Sequence, residues 1–175
     1  MVAPFVVMFV PGVTPGKWER IWRDRMPQQP LELRPASEAD ALAALRGPAH
    51  MALLRDVVAS DDLHVIQLYR EQPVVVAARD SVVGARDSVT LADLAAENVI
   101  EGQDAAAVEL IATGTAVAVM PQSVARAHSR RDIVARPVTD APDSGIGLAW
   151  LASSQHPLND VFVGIVRGRG ANSSR

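Results

Sequence analysis

The chain is 175 residues long, 49% apolar and 21% charged, enough to bury a core in one domain or two small lobes. A net charge of -3 provides no global positive field for nucleic acid, and the absence of cysteine excludes a disulfide scaffold, a thiolate nucleophile and Cys-ligated metal sites. The apolar start MVAPFVVMFVPG has no basic segment before it and is too short for a membrane span, so it reads as a strand.

Phe5 to Val10 is a continuous apolar run, the pattern of a strand buried on both faces of a parallel sheet. Thr14 then Pro15 predicts an N-cap and first helical residue, with Trp18, Ile21, Trp22 and Arg25 at helical spacing until Pro27. Leu31 to Arg34 is a second strand. Ser37 with Asp40 forms a capping box before Ala41, Leu42 and Leu45, Gly47 and Pro48 end that helix, and Met51 to Leu54 closes a βαβαβ half.

From Leu63 the pattern changes. HVIQLY and PVVVAA are joined only by Arg70, Glu71 and Gln72, which predicts paired strands with no helix between them. Thr90 and Asp93 form a second capping box, predicting a helix around Leu91, Leu94 and Ala95, and NVIEGQD follows, too short for another full βα unit. Asp104 caps a helix carrying Val108, Leu110 and Ile111, and Thr113-Gly114 supplies a left-handed stop. The apolar run AVAVM, Pro121 and a polar helix to Arg131 complete what reads as one unit of a parallel α/β sheet. Ile133 to Val138 and Ile146 to Leu151 are strands around the turn at 141–145, and Pro157 opens a helix with Leu158, Val161, Phe162, Ile165 and Val166 on one face, ended by Gly168 and Gly170. The fold class is therefore α/β, with two small Rossmann-like lobes joined by two crossover strands. Lobe boundaries fall at 1–77 plus 149–170 and at 78–148, with a polar tail at 171–175.

Taken in order, FVPGVTPGKW, DALAALRGPAHMALLR, LHVIQLYREQPVVVAARDS, VELIATGTAVAVMPQSVAR and GLAWLASSQHPLNDVFVGIVRGR resemble the effector-binding domain of LysR-type transcriptional regulators, which has the periplasmic-binding-protein fold. The resemblance implies a non-catalytic sensor of a small, often carboxylate-bearing effector, a cytoplasmic homodimer without cofactor. Regulators of that family begin with a winged helix-turn-helix and a linker helix, whereas this sequence starts at the first strand, so no DNA binding of its own is expected. NVIEGQD stands where the family has a further strand, loop and helix, which implies a shortened second lobe.

Chemistry-bearing residues are few. Gly12 to Lys17 has the position of a phosphate-binding loop, but with one residue too few between the glycines and Trp18 where a hydroxyl would hold magnesium. A helix N-terminus offering amides and the Thr14 hydroxyl to an anion is the better functional reading, and simple capping by Thr14 the plainer one. Arg55 follows the third strand at the carboxyl edge of the sheet, where open α/β folds bind ligands; it suits an effector carboxylate or a salt bridge to Asp56, Asp61 or Asp62. Ser37 adds a hydroxyl beyond its capping role. By resemblance, Met120, Pro121 and Gln122 form the effector corner of the second lobe, while a proline after a strand is otherwise plain punctuation.

His50, His64, His128 and His156 lack metal-ligand spacing and read as surface or strand-edge residues. Arg126, Arg130, Arg131 and Arg136 form a basic cluster, most simply a solvated helix face. Trp18 and Trp22, one turn apart on the first helix, read most simply as core, while an exposed pair would mark an interface. Two other functions stay open: a ligand-free dimerisation module, or a small phosphate-binding enzyme built on Gly12 to Lys17.

Overall fold

A computed structural model describes residues 1–168; the predicted tail at 171–175 and the Gly170 stop lie outside them. The chain forms two compact units, one from Met1–Tyr69 with the segment beginning at Gly145, the other Arg70–Ser144.

In the first unit, β1 (Phe5–Phe9), α1 (Gly16–Arg25), β2 (Leu31–Pro35), α2 (Glu38–Ala44) and β3 (Met51–Arg55) follow in the predicted order. β1 pairs in parallel with both β2 and β3, and β8 (Ser144–Leu151) runs antiparallel to β3. With β4 (Leu63–Glu71) at the far edge, the sheet order is β2-β1-β3-β8-β4. The helices force the parallel pairing, because a strand that must run the same way as its predecessor needs a long crossover to return. Phe5, Val7, Met51, Leu53, Ile146 and Leu148 fill the core at 2% exposure or less, against Trp22 of α1 and Phe162 and Ile165 of α5 (Leu158–Val166). Trp18 and Trp22 are both core residues, as read. Phe5 stacks on Trp22 with centroids 5.2 Å apart, and the Trp22 indole donates to the Gln29 carbonyl at 2.8 Å, satisfying its buried N–H.

Two expectations fail here. Thr14 does not cap α1: the cap position is Pro15, whose carbonyl accepts from the Trp18 and Glu19 amides, because its ring-fixed φ of -80° is already helical. Thr14 is left exposed one residue outside the helix. Nor do HVIQLY and PVVVAA pair. β4 belongs to the five-stranded sheet, whereas β5 (Pro73–Ala78) sits in a separate sheet.

That second sheet, in the Arg70–Ser144 unit, has the order β6-β5-β7, with β6 at Ala118–Pro121 and β7 at Ile133–Pro137. β5 is antiparallel to both neighbours, β6 and β7, and not the partner of β4 that the sequence suggests. β6 and β7 are consequently parallel to each other and joined through α4 (Gln122–Ala127), with the earlier strand inserted between them. Successive side chains of β5 alternate between faces. Val74 and Val76 meet Ile111 of α3 (Ala105–Ala112), Val124 and Ile133; Val75 and Ala77 meet Val83, Val89, Leu94 and Val138. Both sheet edges are extended by single parallel bridges, Val99 to Val117 and Val89 to Val138, so NVIEGQD contributes a bridge where no full strand forms.

The Ser37 and Asp104 caps form as read: Ser37 Oγ accepts from the Asp40 amide at 3.1 Å and Asp104 Oδ1 from Ala107 at 2.9 Å. Gly114 ends α3 at φ 82°, a left-handed conformation that glycine adopts without steric cost. At Thr90 the reciprocal box also forms, Asp93 Oδ2 accepting from the Thr90 amide at 2.8 Å, but only a 3-10 turn at Ala92–Leu94 follows. Leu94 is its one buried anchor while Leu91 is exposed, too little apolar face to hold a helix. For the same reason α4 stops at Ala127, short of the predicted Arg131: Val124 and Ala125 are its buried residues, and nothing apolar follows on that face.

Candidate functional site

In the first unit three loops leave the carboxyl ends of β1, β2 and β3 at one edge. The register pairs Phe9 with both Pro35 and Leu53, and hydrogen bonds carry the pairing one step further: Ala36 N–H to Phe9 O at 3.0 Å and Val10 N–H to Leu53 O at 3.2 Å. Thr14 and Ser37 stand just beyond those ends, and Arg55 is the last residue of β3, in register with Ile146 of β8.

Arg55 ties the loops together. Its guanidinium donates to the Pro11 carbonyl at 3.0 Å, reaching into the loop that carries Thr14. Its backbone amide donates to both carboxylate oxygens of Glu38, at 3.1 and 3.2 Å, and Glu38 is the neighbour of Ser37. Desolvation pushes the Glu38 carboxyl upward from its ordinary range, against the opposing pull of the Arg55 amide and charge. Immediately after Arg55, Asp56 adopts a left-handed φ of 49° and exchanges two 2.7 Å hydrogen bonds with Gly145, its amide donating to the Gly145 carbonyl and its Oδ1 accepting from the Gly145 amide. The start of β8 thereby holds an uncommon backbone conformation at the residue after Arg55. Gly12 turns the first loop at φ 90°. Lys17, the lysine of the abbreviated phosphate-loop pattern, lies over the Trp18 ring, 4.9 Å from its centroid.

In the second unit Met120, Pro121 and Gln122 make the corner from β6 into α4. The Gln122 amide donates to Gln72 O at 3.1 Å, while Met120 is only 2% exposed and packs in the core of its unit. Ser123 Oγ, next along, is buried with no hydrogen-bond partner among the described residues.

The sequence reading missed Glu38 and Ser123, and named Asp56 only as a salt-bridge partner for Arg55, not for its left-handed turn onto Gly145. An acidic residue following an N-cap at the carboxyl edge of the sheet, and a hydroxyl following the strand-proline corner, were the available signals. It also missed His50, read as a surface or edge residue. The ring is half-buried, stacks on Phe5 with centroids 4.7 Å apart, lies 4.6 Å from the His156 ring, and accepts the Val6 amide at Nδ1 over 3.0 Å. Among the described residues no group of three or more His, Cys, Asp or Glu could hold a metal ion, and no helix is long and apolar enough to cross a membrane.

The sequence family described as LysR substrate binding domain matches residues 17–105, just over half of the chain. The chain belongs to that family. Its fold is that of solved LysR-type regulatory domains. A mutant OxyR regulatory domain from Pseudomonas aeruginosa superimposes at TM-score 0.77 with 20% identity, covering 95% of this chain and 97% of that one. The effector-binding domain of a BenM variant gives 0.81 at 15% identity, covering 94% and 93%. Full-length CbnR, solved in complex with its target DNA, gives 0.75 at 19% identity, covering 95% of this chain and 70% of that one. No match was found among curated proteins. Membership of the LysR substrate-binding family makes this an effector-sensing domain.

Proposed function

We propose that the domain senses a small carboxylate-bearing effector without chemically transforming it, and that Thr14, Ser37 and Arg55 of the first unit, with Met120, Pro121 and Gln122 of the second, are the residues that meet it. One observation carries this reading: Arg55 stands at the carboxyl edge of a parallel β2-β1-β3 array, held between the first loop and Glu38. Ligands of open α/β sheets bind outside that edge, and a guanidinium matches a carboxylate with two parallel donors. Support also comes from the Thr14 hydroxyl, which makes no cap contact, and from the partnerless Ser123 hydroxyl beside Gln122, since buried polar atoms generally find a partner. Met120, sunk in the core, would contribute through its backbone.

OxyR regulatory domains have been solved in reduced and oxidised forms, and as a variant replacing a cysteine. This chain has no cysteine, so thiol oxidation cannot be its signal, which favours a bound ligand. The effector acts by its differential affinity for the arrangements the domain can adopt. A cytoplasmic homodimer is the form in which we expect it to work.

The test is a melting-temperature screen against mono- and dicarboxylate metabolites, followed by calorimetry on Arg55→Gln. The substitution removes the fork but spares the backbone contact to Glu38. Affinity should fall roughly 10- to 100-fold, the worth of a charge-assisted pair. Equal affinity in the variant, or no stabilisation by any carboxylate, defeats the proposal.

A further inference from the structure

The loops at the carboxyl edge of the first sheet are not alike in polarity. The first loop and the end of β3 carry donors, the Thr14 hydroxyl and the Arg55 guanidinium, to which the carboxylate is assigned above. The segment from β2 into α2 carries acceptors. Ser37 Oγ donates its proton to Asp40 Oδ2 at 2.9 Å and accepts the Asp40 amide at 3.1 Å, so the hydroxyl has only a lone pair left to offer. A carboxylate cannot use that atom, whereas an N–H donor can.

Glu38 stands beside it in the first turn of α2, and the residue is exposed. Its two carboxylate oxygens share a single proton, that of the Arg55 amide, at 3.1 and 3.2 Å, and no side chain among the described residues donates to them. An ionised carboxyl has about four acceptor sites, so about half of that capacity is unused. Because β1 lies between β2 and β3, a side chain from the segment after β2 that bonds the end of β3 stands at the end of β1, where the Thr14 loop leaves. Charge balance agrees with this geometry. Desolvation raises the Glu38 carboxyl above its ordinary range, the Arg55 amide and charge offset this only in part, and Asp56 adds to it. A cation set against Glu38 supplies the compensation it lacks.

A primary ammonium brings one positive charge and three N–H donors, enough for Ser37 Oγ and both Glu38 oxygens. We propose that Ser37 and Glu38 form an ammonium-binding pole beside the carboxylate pole of Arg55 and Thr14, so that the effector is a small zwitterion of the amino-acid class. Glu38 selects it over a plain acid, and Ser37 meets it as an acceptor. The proposal rests on the carboxylate reading above and narrows it.

The probes are the standard amino acids, each compared with its des-amino acid and its decarboxylated amine, by melting temperature and then by calorimetry on the intact domain. The bound amino acid should be at least about tenfold tighter than either analogue, the worth of a charged hydrogen bond. Glu38→Gln keeps an oxygen for the Arg55 amide and removes the charge, and circular dichroism with the unliganded melting temperature checks its fold. That variant should lose at least about tenfold for the amino acid, yet bind the des-amino acid no more weakly than wild type, because a neighbouring negative charge is gone. Glu97→Gln, the same change at an exposed position of the second unit, should alter neither. A des-amino acid that binds at least as tightly as its amino acid, or a preference that survives Glu38→Gln, overturns this proposal and leaves the carboxylate reading standing. A decarboxylated amine as tight as the amino acid removes the carboxylate reading and the zwitterion together, as does failure of every amino acid and every acid to bind.

Discussion

The two sheets are built from strands that look alike in sequence and pair differently. β1 and β3 in the first unit and β5 in the second are all nearly continuous apolar runs buried on both faces. β1 and β3 are parallel neighbours because α2 and its loops return the chain between β2 and β3, whereas β5 lies antiparallel to two strands that come after it. An apolar run therefore reports burial and not direction. Direction is set by what the chain does next: a helical crossover in the first unit, a long loop from Arg79 to Asp104 after β5 in the second.

The cores differ in the same way, and this can be broken experimentally. Leu53, at 0% exposure, is enclosed by paired strands and by core residues of two helices. Leu53→Ala should cost about 2–5 kcal/mol by urea denaturation, the range for a leucine truncated where neighbours cannot collapse into the gap. A cost below about 1 kcal/mol would show a first-unit core far looser than the close packing described.

The second sheet depends on a loop where the first uses a helix, and Gly84 tests that dependence. A Cβ there would meet Ala78 O at 2.4 Å and Arg79 O at 2.7 Å, both backbone atoms that cannot swing aside. The Ser81 hydroxyl fixes the loop further, donating to Ala78 O at 2.7 Å and accepting from the Gly84 amide at 3.0 Å. Gly84→Ala should cost about 1–3 kcal/mol, as overpacking does, and should release Arg136 from Gly84 O. Thermal melts that match wild type would show that the 79–86 loop does not clasp the end of β5 in this way.

What could be read in advance divides along the same line. The Ser37 and Asp104 caps and the Gly114 stop depend on residues within three or four positions, and each appears where the sequence puts it. Pairing of β5 with β6 bridges residues such as Val74 and Met120, and no local pattern reports that. The Thr90 box lies between: its hydrogen bonds are local and form, but the helix they should start needed tertiary anchors that are missing. At the sheet edge, strand-end position made the placement of Ser37 and Arg55 legible. Glu38 closing on the Arg55 amide spans 17 residues and was not, although the acidic residue itself was in view.

His50 offers the finest probe of the first unit, and its sign can be worked out. It stands at the start of β3, where its amide donates to the Val6 carbonyl at 2.9 Å and its Nδ1 accepts the Val6 amide at 3.0 Å. Burial first, then the neighbouring His156 ring, lower its pKa from the ordinary histidine value. With the folded pKa depressed, the unfolded chain binds more protons in the window between the two pKa values, so stability rises with pH there. His50 is thus stabilising in its neutral form above about pH 6.5, the unfolded value, and that contribution is lost as pH falls toward the folded pKa. Protonation also turns Nδ1 into a donor facing the Val6 N–H donor, which breaks the contact. His50→Asn preserves a short acceptor for Val6 but cannot titrate, so urea midpoints measured from pH 7.5 down to 5 should fall less steeply than in wild type. The effect is smaller than either core substitution because the ring is half-exposed. If the two slopes coincide, protonation of His50 does not oppose folding, and the ring is not held as an acceptor between β1 and β3.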